Sequence, residues 1–165
     1  MADLTKLESK LGEVTGLAMA AKAATSKVTT IARDGGHDDV VTTLEKMNAE
    51  ARETEERCTE LAGSFDGKKT AILDEARETK DKAASMLRTY LDDDSDALDG
   101  FEFLTMAEAG EVGHWEVLAE MAKTANAEGV LELTRWALPI QQRHFADARS
   151  TSAKLAADED PNEEA

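Results

Sequence analysis

The chain has 165 residues, 4% aromatic residues and a formal net charge of −16. This length is enough for one domain with its own hydrophobic core, and a composition dominated by alanine, glutamate, leucine and lysine is typical of a mostly helical protein. The negative charge argues against nucleic acid and anionic membranes as partners, because most of the surface would repel them.

Two amphipathic helices are predicted in the first part of the chain. Asp3 is a suitable N-cap for the first helix, whose apolar residues recur at alternating steps of three and four until Gly35 and Gly36. The second helix begins near Asp38 and ends in the glycine-containing segment 63–67. This spacing places one apolar stripe on each helix, so we expect the two helices to pack together as a hairpin.

Three more helices are predicted in the second part of the chain. The third extends from about residue 68 to 91 and has a thinner apolar stripe, so we expect it to pack on the outside. The fourth begins after the acidic segment 92–96 and reaches about residue 125, and the fifth ends near residue 157. No segment alternates apolar and polar residues for long enough to indicate a strand.

Short breaks between long helices favour antiparallel neighbours. We therefore predict an all-α fold: an up-and-down four-helix bundle with one additional helix between its two hairpins. Residues 1–157 should form a single domain. Residues 158–165 are acidic and lack apolar anchors, so we expect them to be a disordered tail.

A reducing compartment is the expected environment, because Cys58 is the only cysteine and no internal disulfide can form. The short apolar run 16–21 is followed by Lys22 and lacks the basic flank of a signal peptide. No run is long enough to span a membrane. We therefore expect a cytoplasmic protein.

The clearest chemical signal is on the fourth helix. Glu111 and His114 are three residues apart and share a helix face, with Glu108 one turn earlier. Glu111 lies seven residues from both Leu104 and Leu118, which places it on or beside the core face. A carboxylate there is costly unless it is paired or binds a metal. The alternative interpretation is a Glu–His hydrogen bond or a position on a partly solvated flank.

The fifth helix repeats this spacing with Gln141 and His144, and its apolar stripe puts His144 on the core side. Two facing helices that each bring a histidine to the core resemble half of a di-metal bundle site. A complete di-iron site needs carboxylates from all four helices. However, Gln141 is neutral where a carboxylate would be expected. The first helix has no carboxylate on its inner stripe. A mononuclear site or a vestigial polar cluster fits as well. The candidate ligands for iron, manganese or zinc are Glu108, Glu111, His114, His144 and, from the second helix, Glu55.

Three short runs also carry a family resemblance: 52–57 on the second helix, 113–117 on the fourth and 141–147 on the fifth. Together with the helix layout, they resemble the ferritin-like superfamily, and within it the small bacterial stress-associated proteins of the YciE/YciF type. The resemblance implies a ferritin-like bundle, often a dimer, with a metal site between helices and a stress-related role.

Two classes of function fit these observations. The first is a metal-binding bundle, with or without enzymatic activity. The second is a non-catalytic helical scaffold or protein-interaction module with a vestigial metal site. It is suggested by the missing acidic ligands and by the dense charge on the outer helix faces.

Overall fold

The computed structural model describes residues 3–162 and contains five helices joined by short connections. They are α1 (Lys6–Asp34), α2 (Asp38–Ala62), α3 (Lys69–Tyr90), α4 (Ala97–Ala125) and α5 (Glu128–Ala157). This part of the chain contains no strand, so the predicted all-α class is confirmed. None of its helices is long and apolar enough to cross a lipid bilayer.

Local capping signals set the starts of α1 and α4. Thr5, rather than Asp3, caps α1: its hydroxyl accepts from the Glu8 amide, while the Glu8 carboxylate accepts from the Thr5 amide. Asp96 and Asp99 form the same reciprocal capping box at the start of α4. At the other end of the chain, α5 ends at residue 157 as predicted. The predicted disorder of residues 158–165 stays a prediction, and residues 163–165 lie outside the described range.

The contacts between helices establish how the core is arranged. α1 packs against α2, α3 and α4, whereas α5 packs against α2 and α4. Val28 of α1 meets Gly100 of α4, and Lys10 of α1 meets His114, so these two helices are antiparallel. Consecutive helices alternate in direction, as predicted. Because α3 intervenes, however, α2 and α4 run the same way. The four core helices therefore run up, down, down, up.

Helix α3 carries the chain back along the outside of α1 and parallel to it. Gly12 of α1 faces Ile72 of α3, and Gly16, one turn later, faces Ala76. A Cβ atom at Gly16 would overlap the carbonyl oxygen of Ala76. Glycine at these positions therefore permits the close approach of the two helix backbones.

The apolar core is divided into two clusters along the bundle axis. One is built around Phe101 and Leu104 of α4, and the other around Trp115 and Leu118 of the same helix. The buried residues of α4 between these clusters are Glu108 and Glu111, and the buried residues at the same level of α5 are Gln141 and His144. The middle of the bundle is thus the place where a functional site could form.

Candidate functional site

A buried polar cluster occupies the middle of the core and is supplied by three helices. Glu108 and Glu111 of α4 are 1% and 4% exposed, and Gln141 and His144 of α5 are 4% and 2% exposed. Each pair is three residues apart, which is why both members face inward. Glu50 of α2 completes the cluster, and its side chain is 21% exposed. These five residues are called the polar cluster below.

His144 lies between two carboxylates. Its Nε2 atom is 2.7 Å from Glu50 Oε2, and its Nδ1 atom is 3.6 Å from Glu108 Oε2. Arg143 donates a second hydrogen bond to Glu50 Oε2, at 2.6 Å. In contrast, Glu108 Oε2 is buried and accepts no hydrogen bond from the described part of the chain. Glu50 is therefore held by two short hydrogen bonds, whereas Glu108 has only the longer ion-pair contact with His144.

His144 and Glu50 shift each other's pKa values. Burial opposes the charge on His144, but Glu108 and Glu50 outweigh it, and the pKa of the imidazole is raised. Burial also opposes ionisation of Glu50, yet the hydrogen bonds from His144 and Arg143 hold its pKa below the ordinary value. The Glu50–His144 contact is therefore an ion pair over part of the pH range.

Glu111 is in the opposite situation. Burial, followed by repulsion from Glu108, raises the pKa of Glu111 well above its ordinary value. A hydrogen bond from Gln141 Nε2 to Glu111 Oε2 opposes this rise. The fold thus favours the neutral acid at position 111. An amide faces it where a second carboxylate would increase the repulsion.

His114 does not join the polar cluster. Its side chain is 41% exposed, and its Nδ1 atom lies 3.1 Å from Glu13 Oε2 and 3.4 Å from Lys10 Nζ, next to α1. Residues three apart on a helix differ by about 60° in direction. Because Glu108 and Glu111 both point into the core, His114, three residues further on, points towards the edge of the core next to α1. The structure therefore separates His114 from Glu111 and His144.

Glu55 is also separate from the polar cluster. It pairs with Lys22 across the interface between α1 and α2. Sequence reasoning selected Glu55 because it follows Thr54, but the carboxylate that reaches His144 is Glu50, which had not been identified. The signal for Glu50 was its position one turn before Thr54, on the flank of the buried stripe.

Cys58 lies beside the polar cluster. The thiol is fully buried. Burial, with smaller contributions from the charges of Glu111 and Glu55, raises its pKa to about 12, against a lowering effect from Thr15. A neutral thiol is a poor metal ligand and a poor nucleophile. Cys58 therefore serves as a small core residue, as its position on the apolar stripe indicated.

The polar cluster forms a chain of side chains rather than a ring around one point. Within residues 3–162, no group of three or more His, Cys, Asp or Glu side chains is arranged to hold a metal ion. No family model, no curated protein and no solved structure matches this chain. Membership of the ferritin-like superfamily therefore stays a prediction from the sequence.

Proposed function

We propose that the protein is a ferritin-like helical bundle that binds one divalent metal ion in its core through Glu108, Glu111 and His144. These three side chains would move together around the ion, because their metal-free arrangement does not hold one. The observation that carries this proposal is the Oε2 atom of Glu108, which is buried without a hydrogen-bond partner 3.6 Å from His144 Nδ1. Buried carboxylates are costly unless they are paired or bind a metal. Carboxylate and imidazole ligands suit iron, manganese and zinc.

The position of Glu50 supports this assignment. Histidines that bind metals through one ring nitrogen usually donate the other N–H to a carboxylate, which fixes the ring orientation. Glu50 is in that position, 2.7 Å from His144 Nε2. The Nδ1 atom, on the other side of the ring, is directed at Glu108. Glu50 would therefore orient the histidine rather than bind the ion.

The arrangement of the helices agrees with this proposal. Ferritin-like bundles have one long crossover connection between their two hairpins. Here α3 fills that role, and the four core helices run up, down, down, up. Gln141 is neutral and α1 brings no carboxylate to the polar cluster. We therefore propose a single ion, because two divalent cations would need more compensating negative charge.

Metal analysis of untagged protein tests this proposal. The protein would be incubated separately with Fe(II), Mn(II) and Zn(II), freed of unbound ion, and measured by elemental analysis. We expect about one equivalent of at least one ion, lost in His144→Ala and Glu108→Gln. His114→Ala is the matched control, and this variant should keep the ion. Less than about a tenth of an equivalent in the wild type would refute the proposal.

A second candidate is a non-catalytic scaffold with a vestigial site. The observation that favours it is that the polar cluster balances much of its own charge. Arg143 and His144 neutralise Glu50, while Glu111 is held in its neutral form. This candidate predicts that His144→Ala lowers stability while neither the variant nor the wild type contains metal.

A further inference from the structure

An apolar groove of about 220 Å³ lies between α1, α3 and α4 and meets the polar cluster only at Glu111. Alanine is the commonest residue in its lining, as at Ala20, Ala24, Ala83 and Ala107. Gly110 of α4 adds a position with no side chain. Because larger residues would fill this space, the open groove is a direct consequence of the small residues at these positions.

The borders of the groove expose large apolar side chains to solvent. Met86 of α3 is 49% exposed and Met106 of α4 is 38% exposed, and both line the groove. Tyr90, 57% exposed, packs against the groove residue Phe103 with a ring-centroid distance of 6.1 Å. Exposed apolar patches of this kind mark binding surfaces, and methionine adapts its shape to ligands.

The two ends of the groove differ in polarity. α1 runs parallel to α3 and antiparallel to α4, so increasing numbers on α1 and α3 correspond to decreasing numbers on α4. The end near Ala24 is apolar and is closed by Leu87 and Phe103. The opposite end, near Leu17, contains the polar lining residues Lys80, Glu111 and His114.

The polar end carries cationic groups. Lys80 is exposed and makes no ion pair with any residue between 3 and 162. Lys10 lies 3.4 Å from His114 Nδ1. Lys10 also pairs with Glu13, the carboxylate that lies next to His114. Glu111 also lines this end, but its side chain is buried and only 4% exposed. Although the protein is strongly acidic, the Lys80 amine at this end of the groove can therefore pair with a bound anion.

We propose that the groove binds one monomeric long-chain carboxylic acid, with its alkyl chain on the alanine-rich lining and its carboxylate at Lys80 and His114. An alkyl chain needs no hydrogen-bond partners, which suits a groove that is apolar except at one end. A helix is about 10 Å across, so a groove of 220 Å³ could take only a few of its side chains. The net charge of −16 disfavours docking on an anionic membrane surface.

Calorimetric titration with dodecanoate, below its micelle concentration and with EDTA present, tests the proposal independently of metal binding. We expect saturable binding of one dodecanoate per chain. Shorter acids should bind about fourfold more weakly for each methylene that the groove covers. Dodecyltrimethylammonium, which has the same chain and the opposite charge, should bind more weakly than dodecanoate.

Two matched pairs of variants locate the site. A Cβ atom at Gly110 or at Gly113 meets no other atom within 4 Å, so both positions have open space at the start of a side chain. Only Gly110 lines the groove. Gly110→Leu should weaken binding at least about tenfold, and Gly113→Leu should leave it unchanged. Lys80→Gln should weaken the binding of dodecanoate but not of dodecanol. The control Lys82→Gln should change the binding of neither ligand.

Several results would overturn the proposal. One is the absence of saturable dodecanoate binding to the wild type, and another is equal binding of dodecanoate by Gly110→Leu and Gly113→Leu. Equal affinity of the wild type for dodecanoate and dodecyltrimethylammonium would also contradict the proposal. Light scattering adds one more. If the wild type is a dimer that Gly110→Leu converts to a monomer, and dodecanoate does not bind, the groove is an interface between two copies of the chain and the proposal is wrong.

Discussion

Glu50 on α2 and His144 on α5 are joined by a hydrogen bond of 2.7 Å between Glu50 Oε2 and His144 Nε2. This contact connects the α1–α2 hairpin to the α4–α5 hairpin in the middle of the bundle. His144 is almost completely buried, whereas Glu50 reaches the surface with part of its side chain. The two residues therefore link the core to the solvent as well as the two hairpins to each other.

Removing either member of this pair should destabilise the metal-free protein. We expect His144→Gln to lower the free energy of unfolding by about 3 kcal/mol, because it leaves the buried carboxylate of Glu108 without its charged partner. Glu50→Gln should cost about 1–2 kcal/mol, because Glu50 is partly solvated. Glu53→Gln on the exposed face of α2 is the control, with an effect below about 0.5 kcal/mol. Urea unfolding with EDTA present measures all three. Equal stability of His144→Gln and wild type would contradict the assignment.

The stabilising effect of the pair should depend on pH in two directions. The pKa of His144 is raised, so its contribution is complete below the ordinary value of 6.5 and is lost as the pH rises through the folded-state value. The pKa of Glu50 is lowered, so its contribution is complete above 4.5 and is lost as the pH falls through the folded-state value. The difference in unfolding free energy between wild type and His144→Gln should therefore be largest between pH 4.5 and 6.5.

Glu111→Gln should reduce the loss of stability at alkaline pH. The folded state retains a proton on Glu111 above pH 4.5, where the unfolded chain releases it. The free energy of unfolding therefore falls as the pH rises towards the folded-state pKa, by up to about 1.4 kcal/mol per pH unit for each retained proton. Glutamine resembles the neutral acid and removes this dependence. Between pH 5 and 8, the urea midpoint of Glu111→Gln should rise increasingly above that of the wild type. If the two midpoints change in parallel with pH, Glu111 ionises normally.

Cys58 should be unreactive in the native protein. Its thiol is fully buried and its pKa is raised to about 12 from an ordinary 9.0, so almost no thiolate exists at pH 8. We expect no release of thionitrobenzoate from Ellman's reagent until urea unfolds the chain, and then one equivalent. The same reagent on a small free thiol is the control for reagent activity. Rapid reaction in the absence of urea would show that this part of the core opens readily.

Gly16→Ala should destabilise the bundle by about 1–3 kcal/mol. The added methyl group would overlap the backbone of α3 at Ala76 and would force α1 and α3 apart. Gly113→Ala is the matched control, because its methyl group meets open space. This variant should be more stable by about 0.5–1 kcal/mol, since alanine is the better helix former. Thermal unfolding should move the two variants in opposite directions. A gain in stability for Gly16→Ala would contradict the close approach of α1 and α3.

The number and approximate ends of the helices follow from the sequence alone, because apolar periodicity and turn residues act within a few neighbouring residues. The breaks near Gly36, Gly63 and Asn126 all separate helices in the structure. The core positions of Glu111 and His144 were also predicted from their distance to apolar residues on the same helix.

Which side chains meet across helices was decided by the tertiary structure. Helical periodicity could not show that His114 turns towards α1, because a difference of about 60° separates a core position from an edge position. It also could not select Glu50 over Glu55 as the partner of His144, because that choice depends on which flank of α2 faces α5 and which faces α1. Likewise, the groove exists only because α3 lies beside α1 and α4. Helix formation depends on neighbours in the chain, whereas the site and the groove depend on how separate helices pack.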